Sequence, residues 1–179
     1  TVAGLIELVQ GGGGVQPFEK EEIQKLAAHV KSQKILLIVD EVQTGVYRTG
    51  EFLASNLYEI DPDIITLAKG LGGGVPIGAV MTKHKDILSA GDHGSTFGGN
   101  YLSSAAGLAV LEVLEGLYES GAIAEALVYF EEKLQDIAGR YTALFENVVG
   151  LGLMRRLRAK SAEIQGSIIK NCRKDGVII

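Results

Sequence analysis

The sequence of 179 residues contains one cysteine, Cys172, and no tryptophan. No disulfide can form within the chain, and we expect a reducing, cytoplasmic setting. There is no stretch of about 18 apolar residues and no basic start leading into an apolar segment, so neither a transmembrane helix nor a signal peptide is expected. Acidic residues outnumber basic ones, because the chain contains 22 Asp and Glu but only 17 Lys and Arg. This balance argues against nucleic-acid and membrane surfaces as partners, because both require a basic face.

The sequence also lacks the short motifs of metal centres. Its three histidines, His29, His84 and His93, are scattered. Neither H-E-x-x-H nor C-x-x-C occurs, so no metal site is expected. An initial Met is missing as well, and residues 1–8 and 177–179 both have strand character. We therefore expect the sequence to be an internal piece of a longer protein.

Apolar periodicity predicts strands alternating with helices. Strands are expected at 2–9, 35–39, 64–68, 77–81 and 153–159, and helices at 19–33, 51–58, 101–118, 122–145 and 161–174. The unbroken apolar run 35–39 is typical of a strand buried on both faces, as in parallel sheets. The order indicates an α/β fold with a mostly parallel sheet and flanking helices.

Glycine-rich loops become sparse and charge rises after about residue 115. We therefore expect two parts, a partial larger domain at 1–115 and a partial smaller α+β domain at 116–179.

Two charged residues directly follow the apolar runs. Asp40 follows 35–39 and Lys69 follows 64–68. Ligands of open α/β sheets bind at the carboxyl ends of the strands, and a charge there is costly unless it is paired or used. One interpretation is an Asp40–Lys69 ion pair that stabilises the sheet.

The other interpretation is a cofactor held between the two side chains. A lysine desolvated in an apolar pocket has a lowered pKa and attacks carbonyls. Pyridoxal phosphate (PLP) carries an aldehyde for such a lysine, and its pyridine nitrogen needs an acidic partner. Lys69 and Asp40 meet these two requirements.

A phosphate could bind at residues 94–100, G-S-T-F-G-G-N, which precede a predicted helix. Hydroxyls, free N–H groups and a helix N-terminus all suit an anion. The alternative is an ordinary loop with an N-cap at Asn100.

Five motifs, taken in order, resemble the class III PLP-dependent aminotransferases. They are D-E-V-Q-T-G at 40–45, R-T-G at 48–50, L-A-K-G-L-G-G-G at 67–74, P-I-G at 76–78 and H-G-S-T-F-G-G-N at 93–100. The resemblance covers essentially the whole chain. It implies a PLP-transferase of fold type I.

The resemblance implies a role for each matching residue. Lys69 corresponds to the lysine that bonds the cofactor and moves the substrate proton, and Asp40 to the partner of the pyridine nitrogen. Val42 corresponds to the side chain under the ring and Gln43 to the partner of the ring's O3′. Glu41 lies in the same cofactor-contacting segment. Across a homodimer interface, Thr96 would reach the phosphate of the other subunit, and Ser95 would approach the substrate.

The chain departs from the family at the first glycine-rich loop. Family members commonly read Q-G-E-G-G where this chain has Gln10 followed by Gly11–Gly14. The family's glutamate pairs with an arginine and switches the site between its two substrates, which Gly12 cannot do. The family's upstream half and its far C-terminal arginine are absent too.

The expected activity is amino transfer from N-acetylornithine, or a similar ω-amino donor, to 2-oxoglutarate in arginine biosynthesis. Enzymes for ornithine, 4-aminobutyrate and succinylornithine share the motifs and remain alternatives. A further alternative is a truncated piece that is inactive alone. A P-loop ATPase is the rival from another class, with Asp40 and Glu41 as a Walker B pair. No Walker A motif occurs in the chain.

Overall fold

Three parallel strands form the part of the fold on which the predicted site depends. In the computed structural model, which describes residues 2–179, the main sheet has the order β1-β4-β5-β6. Its strands are β1 (Ala3–Ile6), β4 (Leu36–Asp40), β5 (Ile64–Leu67) and β6 (Ala79–Thr82). β4 pairs with β1 on one side and with β5 on the other, parallel in both cases. The expected α/β architecture is confirmed.

The fourth strand runs antiparallel to the other three, so the sheet is mostly parallel, as expected. β6 pairs with β5 antiparallel, with Leu67 opposite Ala79. Only residues 68–78 connect the two strands, and part of this connection is a short 3-10 helix at Lys69–Gly72. A parallel crossover needs a dozen or more residues, usually including an α-helix, so this short connection returns the chain antiparallel.

Two small ribbons accompany the main sheet. β2 (Val9–Gln10) pairs with β3 (Gln16–Pro17), and β7 (Phe145–Leu151) pairs with β8 (Met154–Ala159), both antiparallel. The sequence did not predict β7. The predicted helix 122–145 is correspondingly shorter, because it ends at Arg140 and the chain then turns into β7. The predicted strand 2–9 divides into β1 and β2, and residues 177–179 form no strand.

Residues 2–179 form five α-helices beside the strands. They are α1 (Lys20–Ser32), α2 (Ala54–Leu57), α3 (Tyr101–Glu119), α4 (Ala122–Arg140) and α5 (Ala162–Lys174). Asn100 caps α3 as predicted, since its side chain accepts a hydrogen bond from Ser103 N. α3 passes through residue 115 without a break, and the division of the chain near that point remains a prediction. None of the helices in residues 2–179 is long and apolar enough to span a membrane.

The core lies mainly on one face of the sheet. Leu37 and Val39 of β4 are buried, whereas Leu36, Ile38 and Asp40 between them are only half-buried. Burial of β4 on both faces was therefore wrong for this chain. Leu5, which pairs with Ile38 on the less covered face, is 61% exposed. Two adjoining clusters of buried side chains make up the core on the covered face. They are Leu8, Ile23, Leu37, Val39, Ala54 and Tyr58, and Val46, Leu53, Ile65, Leu67 and Leu71.

Candidate active site

Asp40 and Lys69 lie at the same edge of the sheet, as the sequence predicted. Asp40 is the last residue of β4 and is paired with Thr66 of β5. Lys69 begins the 3-10 helix just beyond the end of β5. Because β4 and β5 are parallel neighbours, their carboxyl ends bring the acid and the amine to one side of the fold.

The two side chains do not form the ion pair that was the alternative interpretation. Within residues 2–179, no ion pair shorter than 4.0 Å involves Asp40 or Lys69. Asp40 Oδ1 accepts a hydrogen bond of 2.9 Å from Val42 N, which fixes the carboxylate against its own turn. Oδ2 is then available to accept a hydrogen bond from a further donor. A free carboxylate oxygen at Asp40 and a free amine at Lys69 suit a ligand that has a protonated ring nitrogen and an aldehyde.

The backbone at Lys69 is strained. Its φ of 48° lies in the left-handed region, which a residue with a Cβ rarely adopts. Such outliers cost about 1–3 kcal/mol and concentrate at functional sites. The expectation that Lys69 is desolvated in an apolar pocket is not met within this chain, because Lys69 and Gly70 are both exposed.

A cleft of about 590 Å³ opens beside Lys69. Three of the predicted site residues, Val42, Gln43 and Lys69, line it. Its far wall is apolar and comes from α3, α4 and the turn between β7 and β8, through Leu114, Leu117, Ile123, Ala126, Leu153 and Met154. An apolar cleft with a few polar groups is the usual form of a small-molecule site.

The loop 44–50 also lines the cleft, through Gly45, Val46, Tyr47 and Arg48, and of these Val46 and Tyr47 lie outside the motifs of the sequence analysis. Val46 and Tyr47 are consecutive left-handed residues, with φ of 56° and 62°. The Tyr47 ring packs against Tyr118 at 5.0 Å and Phe52 at 5.6 Å between centroids. Burial raises the pKa of Tyr47, and the carboxylates of Glu115, Glu51 and Glu119 raise it further.

Glu41 takes a different place from the one predicted. Its side chain is 1% exposed. Oε1 accepts hydrogen bonds from Ser55 N and Ser55 Oγ at 2.8 and 2.7 Å, and Oε2 from Ala54 N and Thr44 Oγ1 at 2.9 and 2.6 Å. With four protein donors on its two oxygens, the carboxylate contacts neither the cleft nor a cofactor in it. A cofactor-binding role for Glu41, expected from its place in the motif, finds no support in the position of its side chain.

The same finding removes the physical basis for an ATPase site. The second acid of a Walker B pair must reach the water that attacks the nucleotide. Glu41 is enclosed and fully hydrogen-bonded, so its carboxylate can activate no water in the cleft.

Ser95 and Thr96 lie away from the other predicted residues. Neither lines the cleft at Lys69, and every residue from 88 to 102 is exposed. The apolar side chains of this segment are uncovered, with Phe97 80%, Tyr101 96% and Leu102 75% exposed. The structure therefore brings Val42, Gln43 and Lys69 together in one cleft. Asp40 lies at the same edge of the sheet but does not line this cleft, and Ser95 and Thr96 lie on an open surface.

Comparison with known families gives a match along the whole chain. The family model described as Aminotransferase class-III matches residues 1–179. Among curated proteins, the chain is 56% identical over 179 residues to acetylornithine aminotransferase of Wolinella succinogenes. It is 43% identical over 187 aligned positions to acetylornithine aminotransferase of Methanocaldococcus jannaschii. These matches cover 100% and 99% of the chain but only 46% and 47% of the two relatives, so the chain spans about half their length.

Solved structures agree with the fold. Ornithine aminotransferase from Toxoplasma gondii matches 98% of this chain, and 43% of its own, with a TM-score of 0.88 at 33% identity. N-acetylornithine aminotransferase from Stenotrophomonas maltophilia matches 99% of this chain, and 47% of its own, with a TM-score of 0.82 at 30% identity. The expected fold type I is therefore confirmed.

Proposed function

The chain belongs to the class III aminotransferase family, whose members depend on PLP, and on that premise we propose that it forms the lysine-bearing part of a PLP-dependent acetylornithine aminotransferase. The proposed reaction moves the amino group of N-acetylornithine to 2-oxoglutarate, in arginine biosynthesis in the cytoplasm. The observation that carries the proposal is the placement of an acid, Asp40, and an amine, Lys69, at the carboxyl ends of two adjacent parallel strands, where neither has an ion-pair partner within residues 2–179.

When bound, PLP supplies an aldehyde that exchanges amines and a protonated ring that withdraws electrons from the carbon next to the transferred nitrogen. The residues present fit this group. Lys69 Nζ would hold the aldehyde carbon, and Asp40 would hold the ring nitrogen. The fit depends on both groups being free of ion-pair partners, and within residues 2–179 neither is bound in an ion pair.

Lys69 would also handle the proton. An amine released from the aldehyde carbon can take the proton from the substrate Cα and return it later. The strained φ of 48° supports this role, because such backbone outliers concentrate at functional sites.

Asp40 would keep the ring nitrogen protonated. Its turn is rigid, since Oδ1 accepts a hydrogen bond from Val42 N and Glu41 N donates to Thr66 O at 3.0 Å. Oδ2 would thus be directed by the backbone and would not need to reorganise when the cofactor binds. Val42 would pack under the ring and Gln43 would donate a hydrogen bond to O3′.

We further propose that the protein is a homodimer. Ser95 and Thr96 lie in an exposed segment with Phe97, Tyr101 and Leu102, which leaves apolar surface for a second copy. Thr96 would serve the phosphate of the partner's site and Ser95 its substrate. Both hydroxyls precede the N-terminus of α3, where backbone N–H groups favour an anion.

The choice of amino donor is supported by the relatives, whose names all state acetylornithine aminotransferase. Ornithine, succinylornithine and 4-aminobutyrate are the competing donors. In the family a glutamate switches the site between its two substrates, and Gly12 stands at that position in this chain.

The test is a steady-state comparison of donors with 2-oxoglutarate as acceptor, made on the full-length protein that we propose contains this chain. We expect N-acetylornithine to give the highest kcat/KM. Lys69→Ala should lower kcat by about a thousandfold or more, the scale on which loss of a covalent catalytic group acts.

Lys85→Ala is the matched control, because Lys85 is exposed and takes part in no ion pair within residues 2–179. It should leave kcat unchanged. Retained activity in Lys69→Ala would contradict the mechanism. A preference for 4-aminobutyrate would contradict the donor and leave the mechanism standing.

A further inference from the structure

The turn Gly11–Gly14, which we call the glycine loop, lies directly against Gln43. It joins β2 to β3 at the end of the small antiparallel ribbon. A Cβ added to Gly11 would overlap Gln43 Oε1 and would lie 2.8 Å from Cδ and 3.0 Å from Nε2 of the same amide. The absence of a side chain at Gly11 is therefore what allows the Gln43 amide to occupy its position.

The neighbouring glycine is different. A Cβ added to Gly12 would have no atom within 4 Å. Neither Gly11 nor Gly12 is among the residues with positive φ, so alanine is compatible with the backbone at both. The two positions differ in one respect, the contact with Gln43.

The other end of the glycine loop is held by the β7–β8 ribbon. Arg156 of β8 places Nη1 against Gly14 and donates a long hydrogen bond of 3.4 Å to Gly14 O. β3 also packs along β7. The loop is thus fixed from one side by Arg156, while its opposite side supports Gln43.

We propose that Gly11 is a positioning residue for Gln43, and that the glycine loop sets the direction in which the Gln43 amide enters the cleft beside Lys69. This inference rests on the proposed function, in which Gln43 donates a hydrogen bond to O3′ of PLP. Gln43 lines the same cleft as Lys69, so its amide lies between the cofactor site on one side and Gly11 on the other.

Alanine at Gly11 should therefore change the site more than the fold. Gln43 is exposed, and its amide ends a flexible side chain, so it can rotate away from a new Cβ at small cost. The rotation removes the hydrogen bond to the ring oxygen without opening a cavity in the core.

The experiment compares Gly11→Ala, Gly12→Ala, Gln43→Ala and the double variant Gly11→Ala/Gln43→Ala in the full-length protein. Three quantities are measured for each: the Kd for PLP, the pH at which the visible band of the bound cofactor changes, and the midpoint of thermal unfolding. The pH of the band change reports the hydrogen bond at O3′ directly, which a purely structural defect would not move.

Gly11→Ala should weaken PLP binding about fivefold to tenfold, the size expected for one lost hydrogen bond, and should shift the band's pH in the same direction as Gln43→Ala. Gly12→Ala should match the wild type in both. The double variant should equal Gln43→Ala alone, because the two changes remove the same contact.

If the wild-type protein binds PLP, and Gly11→Ala and Gly12→Ala then show the same Kd for PLP and the same band pH, the inference about Gly11 is overturned and the proposed function is not affected. Strictly additive effects in the double variant would overturn it as well. Failure of the wild-type protein to bind PLP would overturn the proposed function and this inference together.

Discussion

Glu41 is the residue whose position best explains how the cleft is built. Its buried carboxylate accepts four hydrogen bonds from Thr44, Ala54 and Ser55. These contacts close the chain from 41 to 55 into a compact loop, and that loop carries Val42, Gln43, Tyr47 and Arg48 to the cleft. Glu41 therefore acts on the site through the backbone that it organises.

The burial pattern of β4 accounts for this placement, although the unbroken apolar run 35–39 in the sequence does not show it. In β4, Leu37 and Val39 are buried while Leu36, Ile38 and Asp40 are less so. Extending the two-residue alternation by one step puts Glu41 on the buried face and Asp40 on the other. The motif D-E contains two acids, and the alternation of the strand places Glu41 in the core and leaves Asp40, the proposed site residue, on the other face.

Glu41→Gln should destabilise the fold by about 2–4 kcal/mol, because an NH₂ group would then face donors and leave buried groups without acceptors. The measurement is the free energy of unfolding in urea. Glu112→Gln, at an exposed position of α3, is the control and should change it little. An unchanged stability in Glu41→Gln would contradict the anchoring role.

At the level of elements, the strand ends remote from the cleft are joined by Asp63. Asp63 Oδ2 accepts a hydrogen bond of 2.8 Å from Leu37 N of β4, and Asp63 Oδ1 lies 2.7 Å from His84 Nε2. Asp63 O accepts a hydrogen bond from Thr82 Oγ1 of β6. One residue before β5 thus ties the starts of β4 and β5 to the end of β6.

The ionised form of Asp63 is favoured in the fold. Burial alone would raise its pKa, but hydrogen bonds from His84 and Leu37 N, together with the charges of Lys83 and His84, lower the pKa overall. A lowered folded pKa means that the carboxylate contributes stability above its unfolded pKa of about 4 and that this contribution is lost as pH falls through the folded pKa.

Asp63→Asn should therefore lower the unfolding midpoint at pH 7, and its deficit relative to the wild type should shrink as the pH is lowered below about 4. Urea unfolding of both proteins from pH 7 to pH 3 measures the difference. A deficit that stays constant over that range would show that charge is not the cause.

Three of the long helices were predicted most accurately, because their apolar residues recur at helical spacing. α1, α3 and α5 were all expected close to their observed bounds. β7 was missed because Phe145–Leu151 contains Glu146, Asn147 and Gly150 and has little strand character alone. It exists because β8 pairs with it across the tight turn at Gly152, a contact that local sequence does not reveal.

At the scale of the whole molecule, the cleft depends on packing between distant parts of the chain. Leu153 N donates a hydrogen bond of 2.9 Å to Arg48 O, and a Cβ at Gly152 would lie 2.5 Å from the backbone of Thr49. The β7–β8 turn is thereby fixed against the loop 44–50. Such long-range closure could be expected from the family resemblance, but no local pattern predicts it.

The exposure of Lys69 is the other property that belongs to this scale. The chain spans about half the length of its relatives, and both Lys69 and the segment 88–102 are uncovered. We propose that the remaining half and a second subunit cover these surfaces and supply the desolvation that a nucleophilic lysine requires. The 179-residue chain alone should therefore hold PLP more weakly than the full-length protein does.

Trapping the cofactor on its lysine tests the central claim most directly. Borohydride reduction of the PLP-loaded full-length protein makes the bond between the cofactor and its lysine permanent, and peptide mass spectrometry then locates it. We predict that the label is found on Lys69 and on none of the other lysines of this chain, such as Lys83 and Lys85. A label on a different lysine, or none on a protein that binds PLP, would contradict the account.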